Sequence, residues 1–199
     1  MNPEAPVPLE ASSAAAPGAL TLRRVISVLV GALVVALAAQ VSVPVPLSPV
    51  PMTLQPLAVL VVGGLLGAGG GLAALVTYLA LGIAGLPVFA GGSAGVVHLI
   101  GPTGGYLLAF PLAAGLVGAL VGRNREPGGA AAPLRVLLAC ALGMALIHIG
   151  GVAQLALVGG DPALAFRVGF VPFFTGDLLK VGLASAVILL ASPRLKFLR

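Results

Sequence analysis

The sequence predicts an all-α integral membrane protein with six transmembrane helices and with both termini in the cytoplasm. Of its 199 residues, 59% are hydrophobic and 8% are charged, whereas soluble domains carry about 25% charged residues. The stretch from Val25 to Gly122 contains no Asp, Glu, Lys or Arg. We therefore expect lipid to contact most of the surface of the protein.

The charged and reactive residues exclude several classes of function. The net charge is +5, but the basic residues lie at the ends of apolar segments, where the positive-inside rule explains them. Nucleic acid is therefore not an expected partner. Cys140 is the one cysteine, which excludes an internal disulfide and a cysteine-based zinc site. We expect no metal or cofactor. The sequence contains no Gly-x-x-x-x-Gly-Lys-Ser/Thr motif, so it does not predict ATP hydrolysis.

The N-terminal part of the chain predicts a tail followed by the first crossing. Residues 1–21 are rich in Ala, Pro and Ser, which is typical of a disordered tail, here a cytoplasmic one. Residues 22–199 are then a single six-helix domain. The apolar run from Val25 to Val43 has 19 residues, enough to span the roughly 30 Å hydrocarbon core.

Proline and glycine divide the rest of the chain, because charges do not. Four prolines in residues 44–51 exclude a regular helix and predict the first loop. Gly-rich sequences predict a break at Gly67–Gly71 and a long loop at residues 87–102. The remaining predicted segments are 54–66, 72–86, 103–121, 136–158 and 171–191, with loops at 122–135 and 159–169.

The positions of the basic residues agree with six crossings. Arg23 and Arg24, the 123–135 loop and the C-terminal tail are each separated by an even number of predicted segments. All three clusters then lie on the cytoplasmic side, which holds eight of the ten basic residues. The exceptions are Arg167, in an outer loop, and Lys180, within the membrane.

The last segment carries two charges well inside an apolar run, Asp177 and Lys180. They are three residues apart, so a helix places them on one face. A lysine near the bilayer centre costs about 2.5–3.5 kcal/mol, and such charges mark a substrate or ion site or form a structural ion pair. The loops 44–53 and 87–102 lie on the same outer side as this pair. Together they predict a pocket capped by two loops.

Four motifs follow one another along the chain: Val50-Pro-Met-Thr-Leu-Gln55, Gly85-Leu-Pro-Val-Phe-Ala-Gly-Gly-Ser-Ala-Gly95, Gly101-Pro-Thr-Gly-Gly-Tyr106 and Gly176-Asp-Leu-Leu-Lys180. Their order and spacing resemble those of the BioY family, the biotin-binding S components of energy-coupling-factor (ECF) transporters. The resemblance covers residues 22–195.

The resemblance implies a subunit for biotin uptake in a prokaryotic plasma membrane, with biotin bound from the outer side. It places Asp177, Lys180, Ser93 and Tyr106 at the ligand. Some members carry Asn in place of Ser93 and Arg in place of Leu107, so this chain has less hydrogen-bonding capacity at both positions. The implied partners are a membrane coupling subunit and two ATPase subunits in trans, and the resemblance also allows a homo-oligomer.

The chemistry of biotin extends this list of candidate residues. The ammonium of Lys180 suits the carboxylate or the ureido carbonyl of biotin, and the carboxylate of Asp177 suits a ureido N–H. Apolar side chains typically line small-ligand pockets, and glycines allow close backbone approach. The further candidates are Gln55, Gly91, Gly92, Gly104, Gly105, Phe89, Phe173 and Phe174, with His98 at the rim of the pocket and Gln154 as an interhelical hydrogen-bonding residue.

Two pairs of small residues have more than one interpretation. Ala32 and Ala36 are four residues apart on the first helix, and the resemblance implies that such a pair contacts the coupling subunit. Ordinary packing inside the bundle is the alternative, and the same ambiguity holds for Gly118 and Gly122.

Other functions remain as alternatives at this point. An S component for another vitamin would share the architecture. A purely structural membrane protein would not explain the pair of Asp177 and Lys180 or the two outer loops. Gly91-Gly-Ser-Ala-Gly95 and His148 also suggest a serine protease of the rhomboid type, whose serine needs a histidine within hydrogen-bond reach. Ser93 lies in an outer loop, however, so we expect no enzyme. We expect His148 to be a neutral, hydrogen-bonded interhelical residue.

Overall fold

The fold is built almost entirely from helices. The computed structural model describes residues 17–122 and 132–191. The helices are α1 (Pro17–Gln40), α2 (Gln55–Ile83), α3 (Val97–Ile100), α4 (Gly104–Gly122), α5 (Ala132–Gly159), α6 (Pro162–Gly169) and α7 (Phe174–Ala191). The strands β1 (Ser42–Val43) and β2 (Met52–Thr53) pair in antiparallel fashion, and Ala90–Gly92 forms a 3-10 turn.

Five helices of the described chain are long and apolar enough to cross a membrane: α1, α2, α4, α5 and α7. Their outward faces carry many exposed large aliphatic side chains, such as Leu33, Leu142 and Leu190. In water this surface would be unfavourable, whereas a lipid bilayer solvates it. The predicted helical, multi-pass membrane protein is therefore confirmed.

The helix α2 reverses direction at Gly67. This residue has φ 77° and ψ 179°, a conformation that glycine adopts without the steric cost that a Cβ would bring. The side chain of Gln55 bonds to the hydroxyl of Tyr78 at 2.6 Å, whereas a straight helix would separate these residues by ~34 Å. The predicted segments 54–66 and 72–86 are thus the two arms of a folded α2, and the second arm resumes earlier than predicted.

Small residues allow the backbones of neighbouring helices to approach closely. A Cβ on Gly118 of α4 would lie 2.3 Å from the carbonyl carbon of Gly67, at the turn of α2. A Cβ on Gly105 would lie 2.1 Å from the carbonyl oxygen of Gly150, on α5. Neither contact leaves room for a side chain. These glycines hold α4 against α2 and α5, as is typical of packing in lipid.

Several predicted boundaries need correction. The helix α1 begins at Pro17, so the end of the predicted tail 1–21 is helical, while residues 1–16 lie outside the described chain. The predicted loop 159–169 contains α6. Its N-cap Asp161 accepts a hydrogen bond from the backbone of Leu164 at 3.0 Å, and Pro162 follows as a favourable first helical residue. The predicted loop 87–102 contains the 3-10 turn and α3.

The basic clusters that supported the predicted orientation lie largely outside the described residues. Residues 123–131 and 192–199 are not described. The cytoplasmic position of both termini therefore stays a prediction.

The predicted coupling surface on α1 is part of the bundle interior. Ala32 is 2% exposed and Ala36 is 8% exposed, and both belong to the main hydrophobic core. Neighbouring Gly31 faces α2, since a Cβ there would lie 3.0 Å from the Cβ of Ala74. Their burial supports the packing alternative for this pair, and their contact with a coupling subunit stays a prediction.

Candidate functional site

A cavity of about 280 Å³ lies beneath the two predicted loops. This volume is close to the lower end of the roughly 300–1,000 Å³ typical of small-molecule sites. Residues of both loops border it, including Pro49 from the first and Ala90 from the second. The start of α2, the helices α4, α5 and α7, and the neighbouring residues Thr103 and Phe173 supply the rest of the wall. Eight of the predicted pocket residues line the cavity: Gln55, Phe89, Ser93, His98, Tyr106, Phe173, Asp177 and Lys180.

An ion pair on α7 forms the charged part of the cavity wall. The Nζ of Lys180 donates to the Oδ1 of Asp177 at 2.7 Å, and both residues are buried. The predicted shared helix face is therefore confirmed. Asp177 lies in the first turn of α7, where the positive end of the helix dipole stabilises a carboxylate.

A histidine from another helix completes this cluster. The Nε2 of His148, on α5, lies 2.7 Å from the Oδ2 of Asp177. Because an ionised carboxylate can only accept, Nε2 carries the proton and donates. The predicted interhelical hydrogen bond of His148 is thus confirmed. Its place in the cavity wall was missed, since a sequence does not show that mid-α5 reaches the same depth as the start of α7.

The cluster offers both donors and acceptors to a ligand. An ammonium has three N–H donors, and within the described chain Lys180 uses one of them on Asp177. The carboxylate of Asp177 has about four lone-pair sites, two of which accept from Lys180 and His148. The charges of Lys180 and Asp177 cancel. The site therefore suits a polar group that has both N–H and C=O functions and no net charge.

A second polar network supports the part of the wall that Thr53, Gln55 and Phe89 form. The Nε2 of Gln55 donates to the hydroxyl of Tyr78 at 2.6 Å, and the hydroxyl of Thr53 donates to the Oε1 of Gln55 at 3.1 Å. The ring of Tyr78 contacts Phe89 edge-to-face, with centroids 5.6 Å apart. Phe89 in turn packs directly over Gly82. These contacts fix the start of the 87–102 loop on α2 and place an aromatic wall in the cavity.

Two other predicted residues, Tyr106 and Ser93, line the cavity, but their hydroxyl groups bond to backbone carbonyl oxygens. The hydroxyl of Tyr106 donates to the carbonyl oxygen of Gly169 at 2.6 Å. The hydroxyl of Ser93 donates to the carbonyl oxygen of Ala90 at 2.9 Å. Tyr106 therefore joins α4 to α6 and contributes its ring to the cavity.

Four predicted glycines do not line the cavity. Gly91 and Gly92 are exposed and have φ values of 65° and 76°, which the tight 3-10 turn requires. Gly104 and Gly105 are buried against neighbouring backbone, and a Cβ on Gly104 would clash with the carbonyl oxygen of Leu99. Their positions indicate roles in shaping the loop and packing the helices.

The remaining candidates divide between the rim, the wall and the surface. His98 lines the cavity beside Phe89, with ring centroids 5.9 Å apart, and Phe173 also lines it. Phe174 is 49% exposed and lies outside. The Nε2 of Gln154 donates to the carbonyl oxygens of Leu99 and Gly101 at 2.8 and 2.7 Å. Gln154 thus ties α5 to the end of the second loop.

The geometry does not form the dyad of a serine protease. The Nε2 of His148 is bonded to Asp177, and the hydroxyl of Ser93 is bonded to Ala90. A nucleophilic serine requires the histidine within hydrogen-bond reach. Among the residues with described coordinates, no group of three His, Cys, Asp or Glu side chains is arranged to hold a metal ion.

Comparison with known proteins identifies a family. The profile of the BioY family matches residues 11–197. A probable biotin transporter BioY of Pyrococcus horikoshii is 39% identical over 152 residues, which are 76% of this chain and 83% of that protein. The biotin transporter BioY of Thermotoga maritima is 39% identical over 145 residues, or 73% and 82% of the two chains.

A solved structure shares the fold. The S-component for biotin from an ECF-type ABC transporter superposes with a TM-score of 0.82, covering 90% of this chain and 95% of that chain, at 23% identity. The family profile spans nearly the whole sequence, and the curated relatives match over most of their own length. The chain belongs to the BioY family.

Proposed function

We propose that this chain is the biotin-binding S component of an ECF-type vitamin transporter and serves biotin uptake. The observation that carries the proposal is the buried cluster of Lys180, Asp177 and His148 in the wall of a cavity beneath two loops. The relatives, which are biotin transporters, and the structural neighbour, an S-component for biotin, support it. Binding is non-covalent, and the chain is not an enzyme.

The chemistry of the cavity complements biotin. The ureido group of biotin has two N–H donors and one carbonyl acceptor, which suit the carboxylate of Asp177 and the ammonium of Lys180. Phe89, Phe173 and the ring of Tyr106 supply apolar surface for the thiolane ring and the aliphatic chain. Gln55 completes the proposed polar contacts, and Ser93, whose hydroxyl bonds to Ala90, adds only van der Waals contact.

We propose six crossings with both termini in the cytoplasm of a prokaryotic cell. The two arms of α2, residues 55–66 and 68–83, then count as separate crossings. At 1.5 Å per residue they are about 18 and 24 Å long, shorter than the roughly 30 Å hydrocarbon core. Local bilayer thinning accommodates such short arms. The cavity then opens to the outside, beneath residues 44–53 and 87–102.

Energised transport requires partners in this proposal. The chain contains no phosphate-binding Gly-x-x-x-x-Gly-Lys-Ser/Thr sequence, so ATP hydrolysis is assigned to two ATPase subunits acting through a membrane coupling subunit. Because Ala32 and Ala36 are largely buried within this chain, the proposed contact with that subunit extends beyond this pair.

An uptake assay tests the proposed function. Cells of a biotin auxotroph without its own transporter are expected to accumulate labelled biotin when they express this chain together with the coupling and ATPase subunits. Labelled thiamine and riboflavin serve as comparisons. Accumulation of one of these instead of biotin would keep the architecture and change the substrate.

Replacement of Ser93 by Ala tests the protease alternative directly. The hydroxyl of Ser93 bonds within its own loop to Ala90, so we expect the variant to bind biotin with less than about a fivefold change, equivalent to roughly 1 kcal/mol. Affinity is measured by titration in detergent. A complete loss of function in a normally folded Ser93→Ala protein would revive a nucleophilic role for this serine.

A further inference from the structure

His148 lies in the cavity wall and has a hydrogen-bond partner in the described chain at only one of its two ring nitrogens. It is 8% exposed, and its Nε2 bonds to Asp177 at 2.7 Å. Its other ring nitrogen, Nδ1, is buried and has no hydrogen-bond partner within the described residues. Leaving a buried polar atom unsatisfied costs about 1–3 kcal/mol. An apolar side chain would join α5 to α7 without that cost, so a purely structural contact does not account for a histidine here.

The surroundings of the ring fix its orientation. Phe170 lies edge-to-face against it with centroids 5.0 Å apart, and Tyr106 does the same at 6.1 Å. Phe173 packs at 6.3 Å from a third direction. These aromatic contacts hold the imidazole in place while Asp177 is its one hydrogen-bond partner in the described chain. The Nε2–H bond is therefore a fixed donor directed at the carboxylate.

The hydrogen bond from His148 also affects the pair of Asp177 and Lys180. A buried carboxylate that has one cation as its sole partner holds that cation closely, because the pair is strongly coupled at low dielectric. The bond from His148 engages the second oxygen of Asp177, while Lys180 engages the first. These two hydrogen bonds fix the rotation of the Asp177 carboxylate about its Cβ–Cγ bond. The ammonium of Lys180 keeps two N–H donors for a ligand.

We infer that His148 is a positioning residue for biotin binding: its Nε2–H orients the Asp177 carboxylate, so that Asp177 and Lys180 together meet the ligand. A protonated ring would leave the buried cluster with a net positive charge, which is costly, so the acting form is the neutral imidazole with its proton on Nε2. This inference rests on the proposed function.

Two substitutions separate positioning from simple packing. His148→Leu removes the donor and keeps an apolar side chain of comparable size. His148→Gln places an amide N–H near the position of Nε2 and preserves the bond to Asp177. We expect at least a tenfold weaker dissociation constant for biotin in the Leu variant and less than a threefold change in the Gln variant. Both are measured by titration of purified protein in detergent, together with thermal unfolding.

The outcomes are distinguishable. Wild-type affinity in His148→Leu, or equal losses in the Leu and Gln variants, would overturn the inference while the biotin function stands. Loss of folded protein in His148→Leu and in a second apolar variant, His148→Met, would assign a structural role and would also overturn it. Failure of the wild-type chain to bind biotin would overturn the proposed function and this inference with it.

Nitrogen-15 NMR of labelled histidine tests the tautomer without any ligand. The ring of His148 is expected to show a protonated Nε2 and an unprotonated Nδ1, and His148→Gln identifies its signals against those of His98. A proton on Nδ1 of the neutral ring would contradict the geometry on which the inference depends.

Discussion

Replacing Lys180 by Ala is expected to weaken biotin binding by more than tenfold, or about 1.4 kcal/mol. Lys180 is the one lysine or arginine among the described residues that line the cavity, and its loss leaves the buried carboxylate of Asp177 without a cation. Breaking a buried pair in this way costs about 3–5 kcal/mol, so the thermal stability of the variant also falls. Calorimetric titration and thermal unfolding in detergent measure the two effects.

A charge-neutral variant separates binding from folding. In the double variant Asp177→Asn with Lys180→Met, no uncompensated charge remains, so we expect it to fold and still to lose biotin affinity. Arg167→Ala is the matched control, because this arginine is exposed on α6 and does not line the cavity. Unchanged affinity in the folded double variant would remove the ion pair from the binding site.

Replacing Gly118 by Ala is expected to destabilise the protein by about 1–3 kcal/mol, the usual cost of overpacking. The added Cβ would lie 2.3 Å from the carbonyl carbon of Gly67 and 2.5 Å from the backbone nitrogen of Ala68. Both are backbone atoms at the turn of α2, which cannot move aside as a flexible side chain can. We expect a clearly lower unfolding temperature in detergent.

Gly122 provides the control for this prediction. It lies one helical turn further along α4, and a Cβ there meets no heavy atom of the described residues within 4 Å. Gly122→Ala should therefore leave the unfolding temperature unchanged or slightly raised, since alanine favours a helix over glycine. Equal stability of the two variants would contradict the close contact between α4 and the turn of α2.

Most of the helical architecture could be predicted because prolines and glycines interrupt the apolar sequence at the real turns. The reversal of α2 at Gly67 follows from the glycine run that begins there. The helix α6 was missed because residues 159–169 were interpreted by their polarity, although Asp161-Pro162 is a typical helix start. The depth at which each helix meets its neighbours is set by packing, which no local pattern encodes.

The candidate site shows the same division. Asp177 and Lys180 could be paired from their spacing on one helix, and the structure joins them at 2.7 Å. The position of His148 beside Asp177 in the cavity wall could not be predicted, because it depends on the register between α5 and α7. Gly104 and Gly105 were predicted to contact the ligand because glycines allow close backbone approach, whereas they pack against backbone. A glycine that binds a ligand and one that packs a helix look alike in sequence.

The most direct test of the account is a calorimetric titration of the purified chain with biotin, with thiamine and riboflavin as comparisons. We expect saturable biotin binding tighter than about 1 μM, or about −8 kcal/mol, and no heat from the other two vitamins. Absence of biotin binding by folded protein would contradict the central claim. It would leave the cluster of Lys180, Asp177 and His148 as a structural contact between α5 and α7.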